Sequence, residues 1–267
     1  MPIPPGTELA AVPGMLAGNI ATYNDTYGAD YNGPYAEYIA ARNAGIAVAG
    51  SLGDWIAGEG AFQIQTLLIT LGMNARDSRL VPHATFKGVL SGLKPMIVDW
   101  VAGLALPLGV PPPNLVNVAT AETLSAELRL LYDLLAAPGS VTNSGGYVAA
   151  SKTMHCLFPK LAPMIDGRHT GISYYNIDRA TYAPPLGLGS WARWVGAPID
   201  GVANPSPRGA GRNGWQWHQF MAAIGVNQHI YELWQVANGN PGLQAFLALD
   251  PTSGANGIPR IIDKGLW

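Results

Sequence analysis

The chain has 267 residues, of which 48% are hydrophobic, so it is long enough to bury a sizeable core. Charged residues make up only 12%, against about 25% in an average globular protein. The formal net charge of −2 is the opposite of what a dedicated nucleic-acid binder usually carries. With a single cysteine, Cys156, no intrachain disulfide can form. That fits a reducing, cytoplasmic setting.

The N-terminal residues Met1-Pro2-Ile3-Pro4-Pro5 lack the basic and apolar regions of a signal peptide. No uninterrupted apolar run reaches the length of a membrane span, so no membrane partner is expected. Pro, Gly, Asn and Tyr crowd residues 1–35, which predicts an irregular arm with one short helix near Gly6–Asn24. Tyr35, Tyr38, Ile39 and Arg42 then recur at helical spacing. A helix starts near Asp54, and Glu59–Leu71 reads as buried on most sides. Asn74 to Pro82 is a polar break, and Thr85 to Leu104 reads as a helix interrupted at Pro95.

After the rigid Pro111-Pro112-Pro113 connector, Thr120 is a candidate N-cap. Leu124, Leu128, Leu131 and Leu135 form one apolar stripe, and Pro138-Gly139 stops the helix. Asn143-Ser144-Gly145-Gly146 is a turn, followed by a helix over Tyr147–Leu157 that ends before Pro159. Residues 183–214 read as a Pro/Gly-rich loop with a short helix at Ser190–Val195. Trp215–Val236 reads as a long helix, Leu243–Leu249 as a short one and Pro259–Trp267 as a terminal turn or helix. Alternation with period two is scarce and no fixed repeat is present. The expectation is an all-α protein with Pro/Gly-rich loops, built as a single domain over residues 1–267.

The chemistry concentrates between Val141 and Gly171. Lys152 follows the small apolar run Val148-Ala149-Ala150, a setting that lowers an amine's pKa and leaves it nucleophilic. A solvated head on a buried stem is the plainer role for such a lysine. Asp166 lies fourteen positions on, beyond Pro159 and Pro163, so the two meet only if the chain turns back. Asp166 is a helix N-cap or a carboxylate that serves the amine.

The glycine turn, the small-residue helix start with Ser151-Lys152 and the Pro-bounded loop ending in Asp166 resemble the helix-hairpin-helix DNA glycosylase superfamily, in its divergent 8-oxoguanine glycosylase-like branch. The C-terminal Ile258–Trp267 resembles the closing segment of such proteins. The resemblance implies a helix-hairpin-helix fold with its hairpin motif at 141–171. It also implies DNA as partner and a lyase-type excision of a base in DNA repair. Gly145 and Gly146 would match the hairpin glycines that grip a phosphate through backbone amides, Lys152 the nucleophile and Asp166 the essential carboxylate.

Trp215, Trp217 and His218 are candidate pocket residues for stacking or base-edge contacts, or else ordinary aromatics of one long helix. His155, Cys156, Asp166 and His169 fit no zinc spacing, so neither metal nor cofactor is expected. Arg208 and Arg212 sit in a glycine-rich loop without the ending of a P-loop. Two other readings stay open: a non-catalytic helical binding module, and an enzyme acting on a small molecule. Oligomeric state is open as well.

Overall fold

In the computed structural model, residues 3–74, 79–104, 128–166, 169–178, 217–252 and 257–267 are described, without side chains at 98–104 and 217–219. They are mostly helical. In chain order they form β1 (Thr7–Glu8), α1 (Val12–Ala49), α2 (Leu52–Trp55), a π-helical turn (Ile56–Gly60), α3 (Ala61–Thr70), α4 (His83–Leu104) and α5 (128–136). Then come α6 (Tyr147–Leu157), α7 (Thr170–Asn176), β2 (Ile177–Asp178), α8 (Trp217–Ala237), α9 (Leu243–Leu247) and α10 (Ile258–Leu266). Among the described residues, β1 and β2 form the only sheet, a two-residue parallel pair, and Leu80 and Thr142 make an isolated antiparallel bridge. No described helix is long and apolar enough to cross a membrane.

The N-terminal region departs most from the sequence reading. Residues 12–49 form one continuous 38-residue helix, where the sequence reading has an irregular arm over 1–35 with one short helix near Gly6–Asn24, followed by a separate helix. Its Gly, Asn and Asp residues favour turns in isolation, but here tertiary contacts override that preference. Val12, Leu16, Ile20 and Tyr23 are buried at its start and Tyr35, Tyr38 and Ile39 further on. The intervening polar side chains find distant partners. Asn19 donates to the carbonyl of Gly265 at 2.7 Å, and Asn24 donates to Asp250 at 2.9 Å. Pro34 is accommodated because the carbonyl it orphans belongs to Asp30, on the exposed side. Likewise, α4 passes through Pro95 without ending.

Helix α2 starts near Asp54 as expected, capped by Ser51, whose hydroxyl accepts from the Asp54 amide at 3.0 Å. Helix α3 is less buried than expected, because Phe62 and Ile69 are 64% and 51% exposed. In α5 the predicted stripe is present, with Leu128, Leu131 and Leu135 buried while Leu130 and Leu134 face outward. Thr120, Leu124, the 111–113 connector, the loop at 183–214 with Arg208 and Arg212, and the short helix at Ser190–Val195 lie outside the described residues.

The two ends of the chain close on each other. α10 packs against α1, and Ile258, Ile261, Ile262 and Leu266 are all buried. Burying four such side chains contributes on the order of 6–12 kcal/mol gross, an upper bound. The helices approach so closely at Gly265 that a Cβ there would lie 2.4 Å from Leu16 Cδ2. Beside this contact, Lys264 and Asp250 form a buried ion pair to which Asn24 and Thr252 also hydrogen-bond. Burial pushes the Asp250 carboxyl up, but the hydrogen bonds from Lys264, Thr252 and Asn24 prevail and hold it at about 2.

Candidate active site

Helix α6 carries Lys152 and is held at both ends. At its start, Gly145 (φ +68) and Gly146 (φ +120) adopt backbone conformations that L side chains rarely adopt, which turns the chain sharply out of α5. A Cβ on Gly145 would lie 2.5 Å from the carbonyl oxygen of Ala136. The Gly145 amide donates to the Thr142 carbonyl at 3.2 Å and the Gly146 amide to that of Ala136 at 2.8 Å. These two amides are thus spent inside the turn. In this position the glycines shape the hairpin.

At the other end of α6, the last-turn carbonyls need donors. The buried Arg42 of α1 supplies them, from Nε to Cys156 O at 3.1 Å and from Nη2 to Leu157 O at 2.6 Å. The Tyr38 hydroxyl adds a bond to Cys156 O at 2.8 Å. A cation at a helix C-terminus also meets the negative end of its dipole. His155 and Cys156 are structural in this setting. His155 accepts from the Tyr35 hydroxyl at 2.8 Å on Nε2 and donates from Nδ1 to Ala162 O at 2.6 Å. Burial drives the His155 pKa down to about 3 and the Cys156 thiol up to about 12, so both stay neutral and inert.

The loop after α6 is tied back onto the helix. Ser151 Oγ accepts from the Ile165 amide at 3.1 Å, one residue before Lys152. The Met164 amide donates to Asp263 Oδ2 at 2.9 Å, and the Asp166 amide donates to Thr170 Oγ1 at 2.8 Å. Thr170 in turn donates to Met164 O at 3.1 Å. These bonds return the chain so that Asp166 Oδ2 lies 3.8 Å from Lys152 Nζ. Asp166 does not cap α7: its side chain points to the amine, and the capping position before Thr170 is His169.

Lys152 is 6% exposed, and Nζ donates to the Leu71 carbonyl at 3.0 Å. Burial lowers its pKa; the Asp166 carboxylate opposes that and the nearby Arg260 cation adds to it. The result is an amine more readily neutral than an ordinary lysine, with one hydrogen committed to a carbonyl and a carboxylate alongside to take another.

These groups line one cavity of about 250 Å³. It is smaller than most drug-sized ligand sites, about 300–1,000 Å³, and so suits a compact ligand. One wall is aromatic. The His169 ring stacks on Trp267 with centroids 4.3 Å apart and planes 5° from parallel, while Tyr23 and Tyr27 meet Trp267 edge-on at 5.5 and 5.6 Å. Arg260 and Asp263 of α10 complete the lining. Burial raises the Asp263 carboxyl to about 7, against the opposing pull of the Met164 amide and Arg260.

Of the residues singled out from sequence, the structure brings Lys152 and Asp166 together. Trp215 lies outside the described residues, and Trp217 and His218 open α8 with their side chains outside the description. Sequence reasoning missed Tyr23, Tyr31, Arg260, Asp263 and Trp267 as cavity residues. One signal was present, since Arg260 and Asp263 stand three apart among apolar residues that are otherwise all core. Comparison with protein-family models, curated proteins and solved structures gives no match to this chain.

Proposed function

We propose that the cavity is the active site of a glycosylase/lyase-like enzyme that excises a base through Lys152, on a scaffold of the helix-hairpin-helix glycosylase type. The observation that carries this reading is a buried lysine amine 3.8 Å from a carboxylate at the edge of a cavity with an aromatic wall. The glycine turn that joins α5 to α6 supports the scaffold assignment.

In the proposed reaction the neutral Nζ adds to the sugar C1′, and the electrons of the C1′–N bond leave with the base. Asp166 takes the proton that Nζ sheds and passes it to the departing base nitrogen. The nitrogen lone pair then opens the sugar ring; O4′ takes a proton from solvent, and a C1′=Nζ iminium that keeps the second Nζ hydrogen remains. While the glycosidic bond breaks, the Asp166 carboxylate also offsets positive charge on the sugar.

A small nucleoside is the second reading. It is favoured by the inward-facing amides of Gly145 and Gly146 and by 15 basic against 17 acidic residues. Borohydride reduction tests both. The protein is incubated with duplex oligonucleotides bearing an abasic aldehyde or damaged bases and, separately, with free 2-deoxyribose. A covalent adduct mapped by mass spectrometry to Lys152, and absent in Lys152→Ala, is expected. No adduct with any substrate, or one at another lysine, refutes the reading. DNA as substrate further requires binding that weakens steeply with salt. Adduct formation with the free sugar, and no DNA affinity at low salt, selects the nucleoside.

A further inference from the structure

Helix α3 ends in a glycine turn. Gly72 takes a left-handed backbone (φ +77). Its amide donates to the Ile69 carbonyl and the Met73 amide donates to that of Leu68, both at 2.9 Å. This pattern closes a helix on the carbonyls two and three residues inside its cap. The Leu71 carbonyl, at the cap itself, takes no part in it. Terminal carbonyls of this kind need a donor from elsewhere. The donor here is Lys152 Nζ, at 3.0 Å. Leu71 and Gly72 both line the cavity.

This carbonyl is held in register with the helix that carries the amine. Leu67, Leu68 and Met73 are buried on either side of the turn. Gln65 of α3 donates from Nε2 to the Val81 carbonyl at 2.9 Å. The Val81 amide donates to the Val141 carbonyl at 3.0 Å, and the Asn143 amide to that of Arg79 at 2.9 Å. Those bonds join α3 to the hairpin from which α6 begins. A neutral amine has two hydrogens and one lone pair. One N–H lies on Leu71 O, and Asp166 Oδ2 stands 3.8 Å away on another side. With both hydrogens so directed, the lone pair has a single tetrahedral direction left.

We infer that the Leu71 carbonyl, set by the left-handed Gly72, is a positioning group for Lys152: it holds one N–H so that the lone pair faces the cavity. The peptide plane that carries this oxygen joins residues 71 and 72, so the φ of Gly72 orients it against the chain that follows. The role rests on the glycosylase reading for calling the amine a nucleophile; the hydrogen bond and its effect on titration do not. Around the amine stand the Asp166 carboxylate from the return loop, the Arg260 guanidinium from α10 and the Cys156 thiol from α6, none of them on α3. A carbonyl at the negative end of α3 favours the ammonium. Its withdrawal therefore leaves the amine neutral at lower pH. A carbonyl that only held charge would, on withdrawal, speed attack by the amine; one that positions the amine would slow it.

The test compares two glycines that end helices in left-handed backbone and have open space where a Cβ would sit, Gly72 and Gly50. Alanine strains the backbone at both alike. Gly72→Ala is expected to slow the borohydride-trapped adduct with an abasic-aldehyde oligonucleotide ten-fold or more, and to lower the NMR titration midpoint of Lys152. Gly50→Ala is expected to change neither. Gly72→Asn, a residue that adopts left-handed backbone more readily, is expected to recover most of the loss. In the wild type the Leu71 carbonyl carbon resonance should titrate with Lys152, a reading that needs no variant to fold. An unmoved midpoint in folded Gly72→Ala, an equal effect from Gly50→Ala, or a Leu71 resonance indifferent to Lys152 overturns the inference. So does a lowered midpoint with undiminished adduct formation. No adduct in the wild type refutes the glycosylase reading alone, and the midpoints and the Leu71 resonance then decide whether the carbonyl holds the amine.

Discussion

Replacing Asp166 by Asn separates two roles that the carboxylate plays beside Lys152. At 3.8 Å and an effective dielectric of about 20, a unit charge pair interacts by about 4 kcal/mol. The Asp166 side chain keeps 25% of its surface exposed, so screening reduces this, to about 2 kcal/mol. Removing the carboxylate should lower the titration midpoint of Lys152 further. The sign follows from charge: the carboxylate favours the ammonium, so without it the amine is neutral at lower pH. Reductive methylation with labelled formaldehyde, followed by NMR across a pH series, reads this midpoint directly. The free amine becomes more plentiful at neutral pH, yet base excision should fall by about 10²–10⁴, the usual contribution of a positioned proton acceptor. A midpoint that stays or rises in Asp166→Asn would show the two groups uncoupled in the folded protein. Excision that rises together with the free amine would show that the carboxylate only damps the nucleophile.

Lys152→Met should abolish the borohydride adduct yet stabilise the fold at pH 7 by about 1 kcal/mol, as a substitution that relieves a functional site often does. The folded-state pKa of Lys152 is lowered, so the unfolded chain binds its proton more tightly. The wild-type deficit is therefore present at neutral pH and disappears as pH rises towards the unfolded lysine value of about 10.4; urea melts at pH 7 and pH 10 check this. Asp250→Asn should cost about 3–5 kcal/mol at pH 7, because it strands the buried Lys264 cation. With Asp250 held at about 2 against about 3.9 unfolded, the wild type should also lose about 2 kcal/mol as pH falls from about 4 to 2. Acid unfolding of the variant should lack that component. Gly145→Ala combines a left-handed backbone with a clash on the Ala136 carbonyl. A loss of about 2–4 kcal/mol in denaturant midpoint measurements is expected.

Elements whose signals are local were legible in the sequence. The glycine turn and Pro159 bracket α6, so Tyr147–Leu157 was readable residue by residue. The α5 stripe announced itself by apolar spacing, and Lys152 stood out because small apolar residues precede it. Helix α1 was legible at Tyr35–Arg42, where the spacing is helical, but not as one continuous element. Its covering neighbours change along its length, so its buried residues form no single stripe, and its Gly, Asn and Tyr content resembles loop.

The sequence by itself determined a largely helical chain and a lysine whose neighbours on its own helix are small and apolar. Only tertiary structure decided that Asp166 turns back to that amine, because Ser151, Thr170 and Asp263 hold the returning loop from three different elements. Tertiary structure also assembled the cavity, whose walls come from residues 23 to 267. Helix periodicity is a property of neighbours in the chain. A cavity is a property of side chains that meet only after burial drives the two ends of the chain together.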